Sequence, residues 1–343
     1  MAEPVIAIDV GSGTQDILLF LPGKNPENCP KLVMPSRTQI VAGQIRAATR
    51  RGEDVALGGN LMGGGACTVA IKEHLKSGRK AFVTPRAGKT FNDNLEIVRA
   101  MGLNVVDILP KTAREITLGD VDKLALRQAL EAFGLELPAK FAVAVQDHGE
   151  SQGMGNREFR FKLWQDFILE GGELERLIYP AAPAYYTRMQ SIQAIEPTAW
   201  VMDTGPAAVW GMLCDPVVGA RREQGFIALN IGNSHTLGVA VKGKRILGMF
   251  EHHTGLINPD FLAEQVKKFM TGTMTNAEVY GAGGHGAFIH PDYKGDFEFV
   301  ALTGPRWDMA RGFDYYRVAP FGDMMLTGCF GLLAAMGVIS AGC

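Results

Sequence analysis

The sequence predicts an α/β protein of two packed domains with a phosphate-binding cleft between them. A chain of 343 residues exceeds one ordinary core, taking roughly 100–200 residues per domain. Strand-like and helical runs alternate along it. A strand, a polar glycine-containing turn and a second strand at the N-terminus form a pattern that returns in the second half.

The elements follow in order. Val5–Ile8 and Ile17–Phe20 are short apolar runs around the polar stretch Asp9–Asp16, which predicts a hairpin whose turn offers backbone N–H groups. Lys31–Met34 adds a third strand. Val55–Leu57 enters a glycine-rich loop, Gly58–Gly65, and a helix from Ala66 to Lys76 follows. Ala81–Thr84 and Val105–Ile108 are strands, with a helix near Asn92–Met101 between them. Asp120 is placed as the N-cap of a helix through Phe133, closed by Gly134. Phe141–Val145 reads as a buried strand ending in Gln146-Asp147-His148-Gly149, and a helical region follows around Phe159–Ile178. The N-terminal pattern then recurs: Gly225–Leu229, the turn Asn230–Thr236, Leu237–Val241, and a third strand Arg245–Phe250. The apolar, Gly-punctuated stretch Thr327–Cys343 reads as a buried helix, shorter than the roughly 20 residues a membrane span needs.

Composition narrows the partners. Apolar residues make up 47% and charged residues 20%, a globular balance that argues against long disorder. A net charge of -2 supplies no field for nucleic acid or an anionic membrane, and neither is expected as a partner. The five cysteines are scattered, the nearest two being Cys329 and Cys343, 14 positions apart. That spacing opposes a disulfide framework or zinc finger and makes a reducing cytoplasm the expected compartment. The N-terminus shows no basic region and long apolar stretch, so no signal peptide is expected.

Glycine lets a backbone approach phosphate, consecutive N–H groups form an anion nest, and hydroxyls add donors. A carboxylate beside such a nest suits hydrated Mg²⁺. Two turns of this kind facing each other would clamp a di- or triphosphate.

Five segments in order resemble the superfamily that includes actin, sugar kinases and heat-shock chaperone ATPases. Asp9-Val-Gly-Ser-Gly-Thr14 looks like its first phosphate loop, and Val201–Leu213 like its first connecting helix with Asp203 ahead of it. Asn230-Ile-Gly-Asn-Ser-His-Thr236 resembles the second phosphate loop, Phe299–Pro305 the adenosine turn, and Pro320–Ala335 the closing helix. The resemblance implies two related actin-like (ribonuclease H-like) domains, residues 1–215 with 320–343 and residues 216–319. It implies an ATP- and Mg²⁺-dependent phosphotransferase or ATPase acting on an unidentified small molecule, protein or water, and it leaves a homodimer open. Gly11, Ser12, Gly13 and Thr14 would bind phosphate from one side and Gly232, Asn233 and Ser234 from the other. Asp9 would hold Mg²⁺, Gly304 would border adenosine, and Asp203 would act as base with Asp147 as second choice. Asp203 also fits as an N-cap. Two departures stand out: Asn230 replaces the usual acid, and Gly304-Pro305 replaces paired glycines. Asn230 favours a rival class, a nucleotide-dependent switch with little catalysis, while Asp203 and Asp9 favour catalysis.

The chain also resembles a family some of whose members carry a pyruvate formate-lyase activating name. That radical chemistry needs three clustered cysteines, and this sequence lacks a CxxxCxxC run. An ATP-driven activator of a redox enzyme would instead place a cysteine in a loop, where Cys67 is the candidate. Gly281–Gly286 matches GxGxxG but lacks a convincing preceding strand, and Ala87-Gly-Lys-Thr90 has Val83 where a P-loop needs glycine. Arg86, Lys89, Asn92 and Asp93 are candidates for an anionic or hydroxylated substrate. Five histidines, His148, His235, His252, His253 and His285, are expected in turns, where phosphate contact, metal binding and plain hydrogen bonding all remain open.

Overall fold

The computed structural model describes residues 3–151 and 153–341; Cys343 lies outside them. Val5–Val10 pairs antiparallel with Thr14–Phe20, which pairs antiparallel with Lys31–Pro35. Val5–Val10 also runs parallel to Lys140–Val145, and that strand runs parallel to Trp200–Met202. Ile178–Tyr179 adds an antiparallel edge. Both faces of this sheet are covered. Ile6, Ile8 and Val10 enter one apolar core while Val5 and Ala7 enter another. That double burial is why the strand reads as a continuous apolar run.

The second sheet repeats the plan. Phe226–Ile231 pairs antiparallel with His235–Lys242, which pairs with Arg245–His253, and Phe226–Ile231 runs parallel to Val300–Thr303. Gly286–Ile289 and Tyr316–Arg317 extend its edges. A three-stranded antiparallel meander whose first strand pairs in parallel with a later strand is the ribonuclease H-like order, and two copies of it make the actin-like fold the sequence predicts.

The hairpins match residue for residue. Val5↔Phe20 through Val10↔Gln15 corresponds to Phe226↔Val241 through Ile231↔Thr236. Gly11 N–H donates to Thr14 O, and Gly232 N–H to His235 O, each at 2.9 Å. Asn230 therefore stands where the first hairpin has Asp9, and Leu237 where it has Asp16.

Several local expectations change. The first turn is only Gly11–Gly13, so Asp9 and Asp16 face each other within paired strands. Asp122, not Asp120, caps the helix Lys123–Glu131, its carboxylate accepting from Ala125 N. The strand expected over Val105–Ile108 is shortened to Asn104–Val105. Asn276–Gly281 is a helix with a capping box, so the GxGxxG run follows a helix and the dinucleotide pattern fails. His235, His252 and His253 belong to strands, not turns. A third sheet, all parallel, was not foreseen as separate: Asn104–Val105, Ala81–Val83, Val55–Gly59 and Arg114–Leu118 lie side by side in that order with their own core.

Two helices join the halves. Thr204–Leu213 packs on strands of both large sheets and against Thr327–Ala335, which lies on the first sheet. Thr204–Leu213 is almost wholly buried, which explains its lack of a polar face. Their contact is made by glycines. A Cβ on Gly211 would stand 1.8 Å from Thr327 O, and one on Gly331 1.8 Å from Ala207 O. Among the described residues no helix is long and apolar enough to cross a membrane.

Overpacking a close contact costs about 1–3 kcal/mol and occasionally more. Gly211→Ala and Gly331→Ala are therefore each expected to lose that much in urea unfolding. Gly43→Ala, at a helical position with nothing within 4 Å, should gain about 0.5–1 kcal/mol through helix propensity. Equal effects at all three positions would remove the close helix contact as the constraint.

Candidate functional site

The two glycine turns meet. Ser234 Oγ donates to Ser12 Oγ at 2.6 Å, and a Cβ on Gly13 would stand 2.6 Å from Asn233 Nδ2. Each turn is braced by the segment after it. Ser36 N–H donates to Gly13 O and Ser36 Oγ to Ser12 O. Thr254 N–H donates to Ser234 O and Thr254 Oγ1 to Gly232 O. Around them opens a cleft of ≈ 350 Å³. Of the predicted site residues, Asp9, Gly11, Ser12, Thr14, Asp147 and Asp203 line it from one half, and Gly232, Asn233, Ser234 and Gly304 from the other. Lys89 and Asp93 also reach it, but Lys89 is paired with Glu150 at 2.7 Å. Arg86 and Asn92 are not among its lining residues.

The floor under the first turn is acidic. Asp9 and Asp16 sit opposite each other, and Asp9 Oδ1 and Asp16 Oδ1 are buried without a hydrogen-bond partner. Burial, then Asp16 and Asp203, holds the Asp9 carboxyl well above its ordinary range. Burial pushes Asp16 up to about 7. Orphaned carboxylate oxygens of this kind fit a cation, since an unpaired buried charge otherwise costs several kcal/mol. Gly328 makes room for them: a Cβ there would stand 2.0 Å from Asp9 Oδ2.

The two candidate bases are differently placed. Asp203 caps the helix Thr204–Leu213 and its oxygens are occupied. Oδ1 accepts from Gly205 N and Arg160 Nη2, and Oδ2 from Asp147 N and Arg160 Nη1. Asp147 accepts from Gly149 N and from two first-turn N–H groups of the helix Thr187–Gln193, Arg188 N and Met189 N, at 2.9 Å each. Both carboxylates build the cleft wall.

Sequence reasoning missed the group that organises this wall. Arg160, 3% exposed on helix Asn156–Leu169, forks onto Asp203 and donates through Nε to Glu251 at 2.6 Å. Nη1 also donates to Asp147 O. Burial works against its charge, but Asp203 and Glu251 outweigh that and raise its pKa. Burial alone would raise Glu251 too; Arg160 holds it well below the usual carboxylate range. Arg188 makes a second fork, onto Asp120 at 2.7 and 2.8 Å, which is why Asp120 is unavailable as a cap. Nothing local in the sequence marks these arginine–carboxylate pairs, whose members are 43 to 91 positions apart.

Beside Glu251 the histidines gather. His148 from the first half and His235 and His285 from the second bring ring nitrogens within 4.8 Å of one another. His253 stacks against His235 and His285 at centroid distances of 4.9 and 4.7 Å. Burial, then Arg160, depresses His148 well below the ordinary histidine value, and burial lowers His235 to about 4. Both shifts favour the uncharged imidazole. Cys67, by contrast, is buried in helix Gly65–Lys76 with Sγ donating to Gly64 O, and burial lifts its thiol to about 11. It is no exposed cluster ligand.

Residues 62–309 match the family model described as "Putative pyruvate format-lyase activating enzyme (DUF1786)". Among curated proteins the comparison returned no match. Solved structures similar to this chain include a Listeria monocytogenes protein described as "a putative N-acetylmannosamine kinase", 10% identical, covering 98% of this chain and 99% of that one, TM-score 0.33. The ethanolamine utilization protein EutJ from Carboxydothermus hydrogenoformans is 9% identical over 97% and 89%, TM-score 0.30. A chain of the PilM-PilN type IV pilus biogenesis complex is 12% identical over 97% of each, TM-score 0.34. At these values the likenesses carry no argument about activity.

Two outcomes are expected of the buried charges. Arg160→Met strands Asp203 and Glu251 and should cost about 3–5 kcal/mol in thermal or urea unfolding. Asp16 binds its proton up to about pH 7 when folded but only to about its ordinary 3.8 when unfolded. Without divalent cation, stability should therefore fall as pH rises through that window. Asp16→Asn should flatten that fall in melts run from acid to neutral pH; an unchanged slope would show that Asp16 ionises freely.

Proposed function

The chain belongs to the family so described, and we propose that it binds a Mg²⁺–nucleoside triphosphate, with ATP as the first candidate, between its two halves. The units are residues 1–215 with 320–343 and residues 216–319. Binding would couple to slow hydrolysis or to phosphoryl transfer. The observation that carries the reading is the meeting of the two glycine turns at Ser12 and Ser234, directly above two carboxylates with unpartnered oxygens.

The residues divide the work. N–H groups and hydroxyls of Gly11–Thr14 and Gly232–Ser234 would take phosphate oxygens, exchanging the Ser12–Ser234 bond for bonds to ligand. Asp9 and Asp16 would hold Mg²⁺, which supplies charge neutralisation to a polyphosphate when bound. Gly304, at φ +103, would border the adenosine; a Cβ there would stand 2.4 Å from Ile231 O, so the approach needs glycine. Asp203 and Asp147 fit a positioning role better than proton acceptance, because their oxygens already accept from N–H groups and, at Asp203, from Arg160.

That occupancy favours water as acceptor, or a switch that turns over little, above a kinase needing a free base. Asn230 in the position of Asp9 points the same way, leaving the second turn without a carboxylate. Among the described residues Cys29, Cys67, Cys214 and Cys329 are all buried, so they lend no support to the family's activating-enzyme description.

Calorimetric titration with ATP, ADP and a non-hydrolysable ATP analogue, with and without Mg²⁺, tests the reading. Wild type should bind the triphosphates more tightly with Mg²⁺. Asp9→Asn, which removes a desolvated charge without removing volume, should hold or raise the melting temperature of the ligand-free protein. It should also weaken Mg²⁺-dependent binding at least about tenfold, or 1.4 kcal/mol. No binding of any nucleotide at millimolar concentration by the folded protein would overturn it.

A further inference from the structure

We propose that His148, His235 and His285 form a second, distinct cation site, for a borderline divalent transition metal such as Zn²⁺, at the histidine-lined end of the cleft. It stands on its own geometry and does not depend on nucleotide binding.

Three elements far apart in sequence deliver the ligands. His148 follows strand Lys140–Val145 of the first sheet, His235 opens the strand after the second turn, and His285 precedes edge strand Gly286–Ile289. Their donor nitrogens lie within 4.8 Å of one another. Three imidazoles on one tetrahedral ion at ~2.1 Å would have nitrogens about 3.4 Å apart. Ring rotation and a small closing movement at the interface cover the difference. Imidazole donors favour zinc, iron, copper or nickel over Mg²⁺, which requires oxygen ligands. The same cleft thus presents carboxylates under its first turn and imidazoles beside its second.

Two further observations mark this as a ligand site and not a stack of core rings. His285 is 1% exposed, yet its Nδ1 has no hydrogen-bond partner and stands 3.4 Å from Glu251 Oε2. A buried polar atom left so close to a carboxylate fits the carboxylate–histidine pair that orients a metal ligand. Glu251 is itself fixed by Arg160 and by Gln146 Nε2, which gives it the rigidity of an outer-shell partner. Second, His148, His235 and Glu251 line the open cleft while His285 lies behind them. Three protein ligands with an open side are the arrangement of metal sites that accept an outside oxygen ligand. His253, packed on His235 and His285, backs the group and limits where the rings can turn. Because the ligands come from both halves, a bound ion would also tie the halves together.

The test uses untagged full-length protein, stripped with chelator and titrated with Zn²⁺ by calorimetry and with Co²⁺ by visible absorption. About one equivalent should bind, with the intense d–d bands of a low-coordinate Co²⁺ site, and Zn²⁺ should raise the melting temperature as mass action requires. His285→Gln and His235→Gln should each weaken binding by at least the roughly 10–100-fold seen when an outer-shell partner is lost. His290→Gln, on a loop outside the cluster, should leave it unchanged. Circular dichroism establishes that each variant is folded; if His285→Gln is not, His235→Gln, at a more exposed position, decides. No saturable binding by wild type, or equal binding by folded cluster variants, overturns the proposal. Loss of Zn²⁺ binding with Mg²⁺–ATP binding retained would support it while leaving the nucleotide reading intact.

Discussion

Arg160 is the group on which the geometry of the cleft depends. A guanidinium removed from water needs its donors used, and here four hydrogen bonds reach Asp203, Glu251 and the Asp147 carbonyl. Those partners lie on the N-cap of the connecting helix, on a strand of the second sheet and at the end of a strand of the first. One side chain thus ties together three backbone segments that are also linked by Asp147 N donating to Asp203 Oδ2 and by Gln146 Nε2 donating to Glu251. A buried ion pair adds little net stability over a hydrophobic replacement, but breaking one side of it is costly. Its value here is in fixing where the segments stand.

The glycine contact between Thr204–Leu213 and Thr327–Ala335 is the complementary constraint. Without side chains at Gly211 and Gly331, the two helices meet backbone to backbone, and the shared core runs from the first sheet through both helices to the second. Gly328 extends the same economy to Asp9, whose carboxylate occupies the space a side chain would take. Close helix approach and a desolvated acid are therefore one feature. Bringing the closing helix near enough to pack is also what removes water from the carboxylates.

How much of this was legible from sequence follows the range of each interaction. The hairpins were legible because strand, turn and strand lie within sixteen residues, and glycine with hydroxyl residues in a turn has a direct physical meaning. The repeat at Asn230–Thr236 could be matched for the same reason, and register then made Asn230 the counterpart of Asp9. Asp120 reads as the N-cap from sequence because a carboxylate two residues before a cap and one at the cap look alike until Arg188 arrives from 68 positions away. His252 and His253 looked like turn residues because polar residues at a strand end resemble a loop. The Arg160 hub and the histidine gathering had no local signature, since their members meet only once both sheets have formed. The four-stranded parallel sheet escaped as a unit because its strands are two to five residues long, too short for periodicity to group them.

Duplication leaves the two sides of the cleft alike in backbone and unlike in chemistry. Each turn makes the same N–H to carbonyl bond and is braced by a hydroxyl from the following segment. Beneath the first lie Asp9 and Asp16; at the matching positions beneath the second lie Asn230 and Leu237. A pair of carboxylates under both turns would place four desolvated negative charges around one cleft, at a cost no single Mg²⁺ offsets. The loss of charge on the second side relieves that repulsion, and Leu237 instead packs against Gly205 at the start of the connecting helix. Beside the second turn stand His235 and His285, with the buried carboxylate there, Glu251, offset by Arg160. The asymmetry lies under the turns: the paired carboxylates stand only beneath the first, two of the three gathered histidines come from the second half, and the shared backbone turns face whatever anion lies between them.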